Sequence, residues 1–195
     1  MDESLNDLGS LPRWLEDAER IDVALYAAIA QTSTPTLDRA LARLSRAADY
    51  SRLSLTSAAV LAMAGGCRGR RAAVMGLASS WAAAGVVNLG MKPLGGRRRP
   101  DRAASRTPIA RHVRMPISTS FPSGHSANAF AFASGVGRTL PLFAIPLHGV
   151  ATLIAYSRVH TGVHYPGDVV AGAAIGTAIA QLTTSLFDRC TMNRR

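Results

Sequence analysis

Five runs without a single Asp, Glu, Lys or Arg constrain this chain more than any other feature. Leu53–Cys67, Ala72–Met91, Met115–Gly137, Thr139–Ser157 and Val169–Phe187 are uncharged over 15, 20, 23, 19 and 19 residues. A helix needs about 20 apolar residues to cross a bilayer core, so the last four runs have spanning length and the first must borrow flanking residues. The runs are rich in Ala, Gly and Ser, which leaves two architectures open. One is a soluble bundle of buried helices. The other is a membrane bundle closed through small residues, such as Gly172 with Gly176 and Ala78 with Ala82. Short charged clusters between the runs favour the second. The expected fold is therefore all-α: a polytopic membrane helical bundle of about five to six transmembrane helices. Hydrophobic residues at 48% argue against a disordered chain. Cys67 and Cys190 are too few for a disulfide framework or a cysteine zinc site.

The N-terminal quarter has a different pattern. Trp14, Ala18, Ile21, Leu25 and Ala28 recur at helical spacing with charges largely off that stripe. After the start signal Thr34-Pro35, Leu37, Leu41, Leu44 and Ala48 repeat it. Two amphipathic helices are expected, lying on the membrane surface or against the bundle. The organisation read from these patterns is residues 1–50 as interfacial helices, 51–188 as a transmembrane catalytic domain and 189–195 as a basic tail. No basic stretch followed by an apolar segment and cleavage site opens the chain, so no signal peptide is expected.

Charge is split along the chain. Residues 1–50 hold nine of the 12 acidic residues and five of the 22 basic ones, a balance of −4; the remainder carries +14. All the basic residues but Lys92 are arginine. Such an excess suits anionic partners, whether phosphate, acidic lipid or nucleic acid. Three clusters narrow the choice. Lys92 to Arg102 combines the one lysine with Arg97, Arg98 and Arg99, shaped by Pro93, Gly95, Gly96 and Pro100; an ammonium and guanidinium forks together suit a phosphoryl group. Pro122-Ser123-Gly124-His125 reads as a helix N-terminus, where free N–H groups make an anion site. In Tyr156 to Asp168, the carboxylate of Asp168 follows His164 by four residues and can accept its imidazole N–H, leaving the other ring nitrogen free to attack. With helices alternating in direction, all three clusters fall on one membrane face.

Lys92-x6-Arg99-Pro100, then Pro122-Ser123-Gly124-His125, then Ser157-Arg158-x5-His164-x3-Asp168 resembles the full signature of the type 2 phosphatidic acid phosphatase (PAP2) superfamily. The resemblance implies a phosphatase in which His164 is the nucleophile, Asp168 orients it, and His125 is the acid and later the base. Lys92, Arg99 and Arg158, with Ser123 and the Gly124 N–H, would hold the phosphoryl oxygens. It also implies that these cations replace a divalent metal, so that no metal or other cofactor is required.

The leading expectation is an integral-membrane lipid phosphate phosphatase, acting on phosphatidic acid, phosphatidylglycerophosphate, polyprenyl phosphates or diphosphates, or polyprenyl phosphoribose phosphate. Its partners are then a lipid phosphate and the bilayer, with no nucleic acid. Two alternatives stand beside it. A vanadate-dependent haloperoxidase shares such a pocket, and a non-catalytic anionic-lipid binder would explain the arginines but not the histidines. The arginine and alanine bias points to a GC-rich bacterial genome and a plasma-membrane location, with a lean toward polyprenyl substrates. Arg68, Arg70, Arg71, Arg138 and the C-terminal arginines fall opposite the site, and an extracytoplasmic site is the expectation. Arg97 and Arg98 are expected to meet headgroups or the distal part of the substrate. His112 and His148 are expected to be structural, and His160 to lie near the site.

Overall fold

The computed structural model describes residues 12–192, so Arg194 and Arg195 of the expected tail lie outside the described residues. Helices α1 (Arg13–Gln31) and α2 (Pro35–Ala47) form the N-terminal pair, the second opened by Pro35 in its first turn. A tight turn at Asp49–Ser51 leads into α3 (Arg52–Ala64), and a glycine hairpin at Gly65-Gly66 reverses the chain into α4 (Gly66–Gly85). Helical structure continues through a π turn at Val86–Met91 and ends at Leu94, next to two glycines. After a long loop come α5 (Gly124–Thr139), α6 (Ala144–His160) and α7 (Pro166–Met192).

Helix α5 is the central post, packed against α4, α6 and α7, while α3 lies along α4. Small residues make this possible. A Cβ on Gly172 or Gly176 of α7 would run into the Ser123 or Ala127 carbonyl. On Gly135 of α5, one would stand 2.7 Å from the Met75 carbonyl oxygen. The close seam of α4 is Ala72, Gly76, Ser79 and Ala83, all buried, whereas Ala78 and Ala82 are half-buried. The sequence pair on α7 is thus a true contact, and the pair on α4 is one face away from it.

Among the described residues, three helical segments are long and apolar enough to cross a membrane: Gly66–Leu94, Pro141–His160 and Pro166–Cys190. Two of the five uncharged runs are not among them: Leu53–Cys67, whose helix α3 has 13 residues, and Met115–Gly137. Pro116 and Pro122 exclude regular helix from its first part, so only the 16 residues of α5 are helical, spanning about 24 Å at 1.5 Å per residue.

Chain direction alternates through the bundle. Helix α4 ends, α5 begins, α6 ends and α7 begins at one end, which gathers all three clusters. At the other end Arg71 of α4 and Arg138 of α5 meet Asp188 of α7 at 2.8 and 3.6 Å. The two N-terminal helices lie against the bundle: α1 touches α6 and α7, and α2 touches α6. The apolar stripe of α1 does not face inward. Trp14 and Ile21 are 68% and 67% exposed, while Asp22, Tyr26 and Ala30 turn toward the bundle. Helix α2 follows the sequence more closely, burying Leu41 and Ala48 beside Asp38 and Ser45, with Leu37 outside.

Candidate active site

The end of α4, the start of α5 and the α6–α7 loop enclose a cavity lined by Lys92, Arg99, Gly124, His125 and His164. Ser123, Arg158 and Asp168 stand behind that lining, fully or almost fully buried. All eight residues expected at the site are therefore together at one end of the bundle.

His164 follows the tight turn at Gly162, whose φ of +64° suits glycine, and is buried. Its Nδ1 lies 3.5 Å from Asp168 Oδ2, one helical turn ahead. Its Nε2 lies 3.2 Å from Nη1 of Arg99. A guanidinium only donates, so Nε2 must be the unprotonated nitrogen and the ring proton sits on Nδ1, facing Asp168. Burial, with Arg99 and Arg158 nearby, pushes the imidazole down to about 3 against the opposing pull of Asp168. The ring is neutral at ordinary pH, with a lone pair on the nitrogen beside the arginine.

Asp168 divides its oxygens. Oδ2 accepts from the Ser120 hydroxyl and, at 2.9 Å, from the Tyr165 N–H, while Oδ1 accepts from Arg97 at 2.8 Å. Arg99 is anchored by the carbonyls of Ser118, Thr119 and Val163 at 2.9, 3.1 and 2.8 Å. Lys92 reaches the Ser118 hydroxyl at 3.3 Å. Ser123 caps α5, its hydroxyl accepting from the N–H and the hydroxyl of Ser126. The first N–H groups of α5, beginning at Gly124, are consequently aimed at the cavity end.

His125 and Arg158 depend on residues far away in sequence. Nε2 of His125 is 3.0 Å from Asp49 Oδ1, and Nη1 of Arg158 is 3.5 Å from the same oxygen. Arg158 also donates to the Ser45 hydroxyl at 2.7 Å. The His125 bond, more than the opposing effect of burial, holds the Asp49 carboxyl below its usual range. Its turn is strained: Tyr50 and Ser51 both have φ of 57°, and both line the cavity.

Several expectations change. Arg97 turns inward and pairs with Asp168 and, at 2.7 Å, with Asp22 of α1. Arg111 is fully buried, bonded to Asp38 and to carbonyls at the α1–α2 junction. His160 pairs with Asp38 at 3.0 Å. His112 and His148 make the structural contacts expected, to the Thr107 carbonyl and to Ser134 with the Ala144 carbonyl. Motif reading missed Asp22, Asp49, Arg97 and Ser120. The signal for the first two was present in the charge split, since an acidic quarter and a basic remainder attract. Ser118-Thr119-Ser120, a polar triplet inside an uncharged run, was the signal for the last. Among the described residues, His, Cys, Asp and Glu form no group of three able to hold a metal ion.

A lipid A 1-phosphatase of Rhizobium etli is 36% identical over 100 residues, covering 49% of this chain and 42% of that protein. A decaprenylphosphoryl-5-phosphoribose phosphatase of Mycobacterium tuberculosis is 37% identical over 100 residues, covering 49% of this chain and 51% of its own. The matched stretch thus spans about half the length of these relatives or less. The fold matches the crystal structure of a transmembrane PAP2-type phosphatidylglycerolphosphate phosphatase from Bacillus subtilis with a TM-score of 0.66 and 24% identity, over 89% of this chain and 87% of that one. The PAP2 superfamily model matches residues 73–192, the whole stretch that carries the histidines and their cationic cradle, and the chain belongs to that superfamily.

Proposed function

We propose that this chain is an integral-membrane lipid phosphate phosphatase working through a phosphohistidine intermediate. The observation that carries the reading is the single cavity where a neutral, buried His164 faces Arg99, Lys92, a helix N-terminus and a second histidine. Nε2 of His164 attacks the terminal phosphorus as the bond to the lipid oxygen breaks, and protonated His125 gives that oxygen its proton. Lys92, Arg99 and Arg158, with the Ser123 hydroxyl and the Gly124 N–H, hold the phosphoryl oxygens, whose charge they match better as the metaphosphate-like state develops. The Nδ1 proton shared toward Asp168 stabilises the cationic ring. His125, now neutral, takes a proton from water, whose oxygen attacks phosphorus; the P–N bond breaks and inorganic phosphate leaves. With cations already lining the cavity, no divalent metal is needed.

Residues 51–188 form the catalytic unit, and acidic groups from 1–50 complete it. The relatives named above act on lipids that end in a phosphate, and the substrate here belongs to that class, with polyprenyl-linked phosphates first in line. The site faces away from the cytoplasm, with the Arg68–Arg71 end inside; labelling of that loop by a membrane-impermeant reagent from outside would overturn this placement. The decisive assay is phosphate release by detergent-purified protein from a panel of lipid phosphates with EDTA present. EDTA-resistant release that vanishes in His164→Ala supports the reading, and release that persists in that variant ends it.

A further inference from the structure

We infer that Arg97 and Asp22 are positioning residues for the nucleophile, a two-residue brace that holds Asp168 in the orientation its partner His164 requires. The inference rests on the phosphohistidine reading and extends it to residues on α1 and the α4–α5 loop.

A carboxylate facing an imidazole can rotate, and each of its two oxygens must be held if one is to stay on the ring. Here Oδ2 is fixed by Ser120 and the Tyr165 N–H, and Oδ1 by Arg97 at 2.8 Å. Arg97 is fixed in turn. The same Nη1 meets Asp22 Oδ2 at 2.7 Å, and its guanidinium lies 4.3 Å over the Tyr165 ring. Asp22 is tied to the start of α7 by accepting the Gly167 N–H at 2.6 Å. A Cβ at 167 would stand 2.9 Å from the Asp22 carboxylate and push it out of this position. Side-chain exposure falls from 19% at Arg97 and 11% at Asp22 to zero at Asp168, so these ions interact with little screening by water.

Outward from the His164 ring the charges alternate: Asp168, Arg97, Asp22. Other charged groups facing His164 are Arg99 and Arg158. Arg97 Nη1 is shared between Asp168 and Asp22 and its guanidinium lies over the Tyr165 ring, so it is placed to act on the carboxylate and not on the phosphoryl group. Its effect on turnover must pass through Asp168. Asp22 lies outside the stretch matched by the superfamily model and acts one step further away.

The test is a kinetic cycle on the full chain in detergent, with wild type, His164→Ala, Asp22→Asn, Arg97→Gln, Arg97→Lys and the Asp22→Asn/Arg97→Gln double variant. Arg97→Gln is expected to lower kcat about 10–100-fold, by analogy with loss of an outer partner of a metal-bound histidine, with KM within about twofold. Asp22→Asn lowers kcat by less, about threefold to tenfold. The double variant matches Arg97→Gln within about twofold, because Asp22 acts through Arg97. Arg97→Lys keeps the cation and recovers most of the rate, which a merely structural loss would not allow.

Wild-type turnover abolished by His164→Ala tests the phosphatase reading separately in the same assay. With that in place, a raised KM at unchanged kcat in Arg97→Gln makes Arg97 a substrate ligand and overturns the brace. Losses that multiply in the double variant overturn it as well. If Arg97→Gln fails to fold in a thermal melt, Asp22→Asn and Arg97→Lys carry the test, and wild-type kcat in Asp22→Asn rejects the brace.

Discussion

The two histidines of this site are held in opposite ways. His164 takes its carboxylate from Asp168, four residues on in the same turn-and-helix unit, and both are buried. His125 takes its carboxylate from Asp49, 76 residues earlier, on a strained turn that half faces the cavity. The first pair lies inside the stretch matched by the superfamily model, and the second pair is only half inside it. The difference follows the proposed tasks. A nucleophile needs a fixed tautomer and a fixed direction, which a local, buried partner supplies. An acid that becomes a base must gain and lose a proton, and a partly solvated partner on a turn allows that exchange.

Removing each histidine is the strongest way to break the comparison. His164→Ala should abolish turnover of every substrate, by at least about a thousandfold. His125→Ala should be as severe with a lipid phosphate but milder in the first step with an aryl phosphate, whose leaving group needs no proton. The variant should then stall as phosphoenzyme, seen as a burst of about one aryl alcohol per protein. A missing burst would show that His125 is needed for more than the leaving group.

The carboxylates sharpen the contrast at smaller cost. Asp168→Asn should reduce kcat about a thousandfold for lipid and aryl phosphates alike, since it disturbs the tautomer of the nucleophile. Asp49→Asn should cost only about tenfold in the first step, and there mainly with lipid substrates, if its chief effect is on proton delivery by His125. Equal losses with both substrates would place Asp49 with the phosphoryl cradle through Arg158. Single-turnover rates of the first step on the two substrate types decide between these.

The docking of the N-terminal helices offers a stability test without chemistry. Burial pushes the Asp38 carboxyl up, but bonds from Thr34, His160 and Arg111 outweigh it and leave it below 3.8. A lowered folded value means the stabilisation is complete above the unfolded value and is lost as pH falls through the folded one. Melts should therefore be insensitive to this group above about pH 5 and fall below about pH 4. Arg111→Ala leaves Asp38 buried without its main cation and should destabilise the docked helices by about 3–5 kcal/mol. A melt unchanged by that substitution would mean that α1 and α2 are held by their apolar contacts instead.

Much of the site is legible in the sequence because its parts are local. Lys92 and Arg99, the cap Ser123 with Gly124 and His125, and the His164–Asp168 turn each lie within a few residues of one another. A helix end or a tight turn converts such spacing directly into geometry. The pattern leaves open which way a helix face turns. Trp14 and Ile21 form an apolar stripe that ordinary amphipathic logic turns inward. In a membrane setting the same stripe can face out, and α1 docks through Asp22 and Tyr26 instead.

By itself, the sequence determined the all-helical bundle, its apolar segments, the end at which the motifs gather and the eight residues around the cavity. Hydrophobic length, helix capping and short-range spacing act along the chain and need no partner. The tertiary structure alone decided that Asp22 reaches Arg97, that Asp49 reaches His125 and Arg158, and that Arg111 pairs with Asp38. A cation surrounded by several acidic residues has no preferred partner in the sequence. Packing of α1 and α2 against α6 and α7 sets which carboxylate comes within reach of which cation, and burial makes that choice binding.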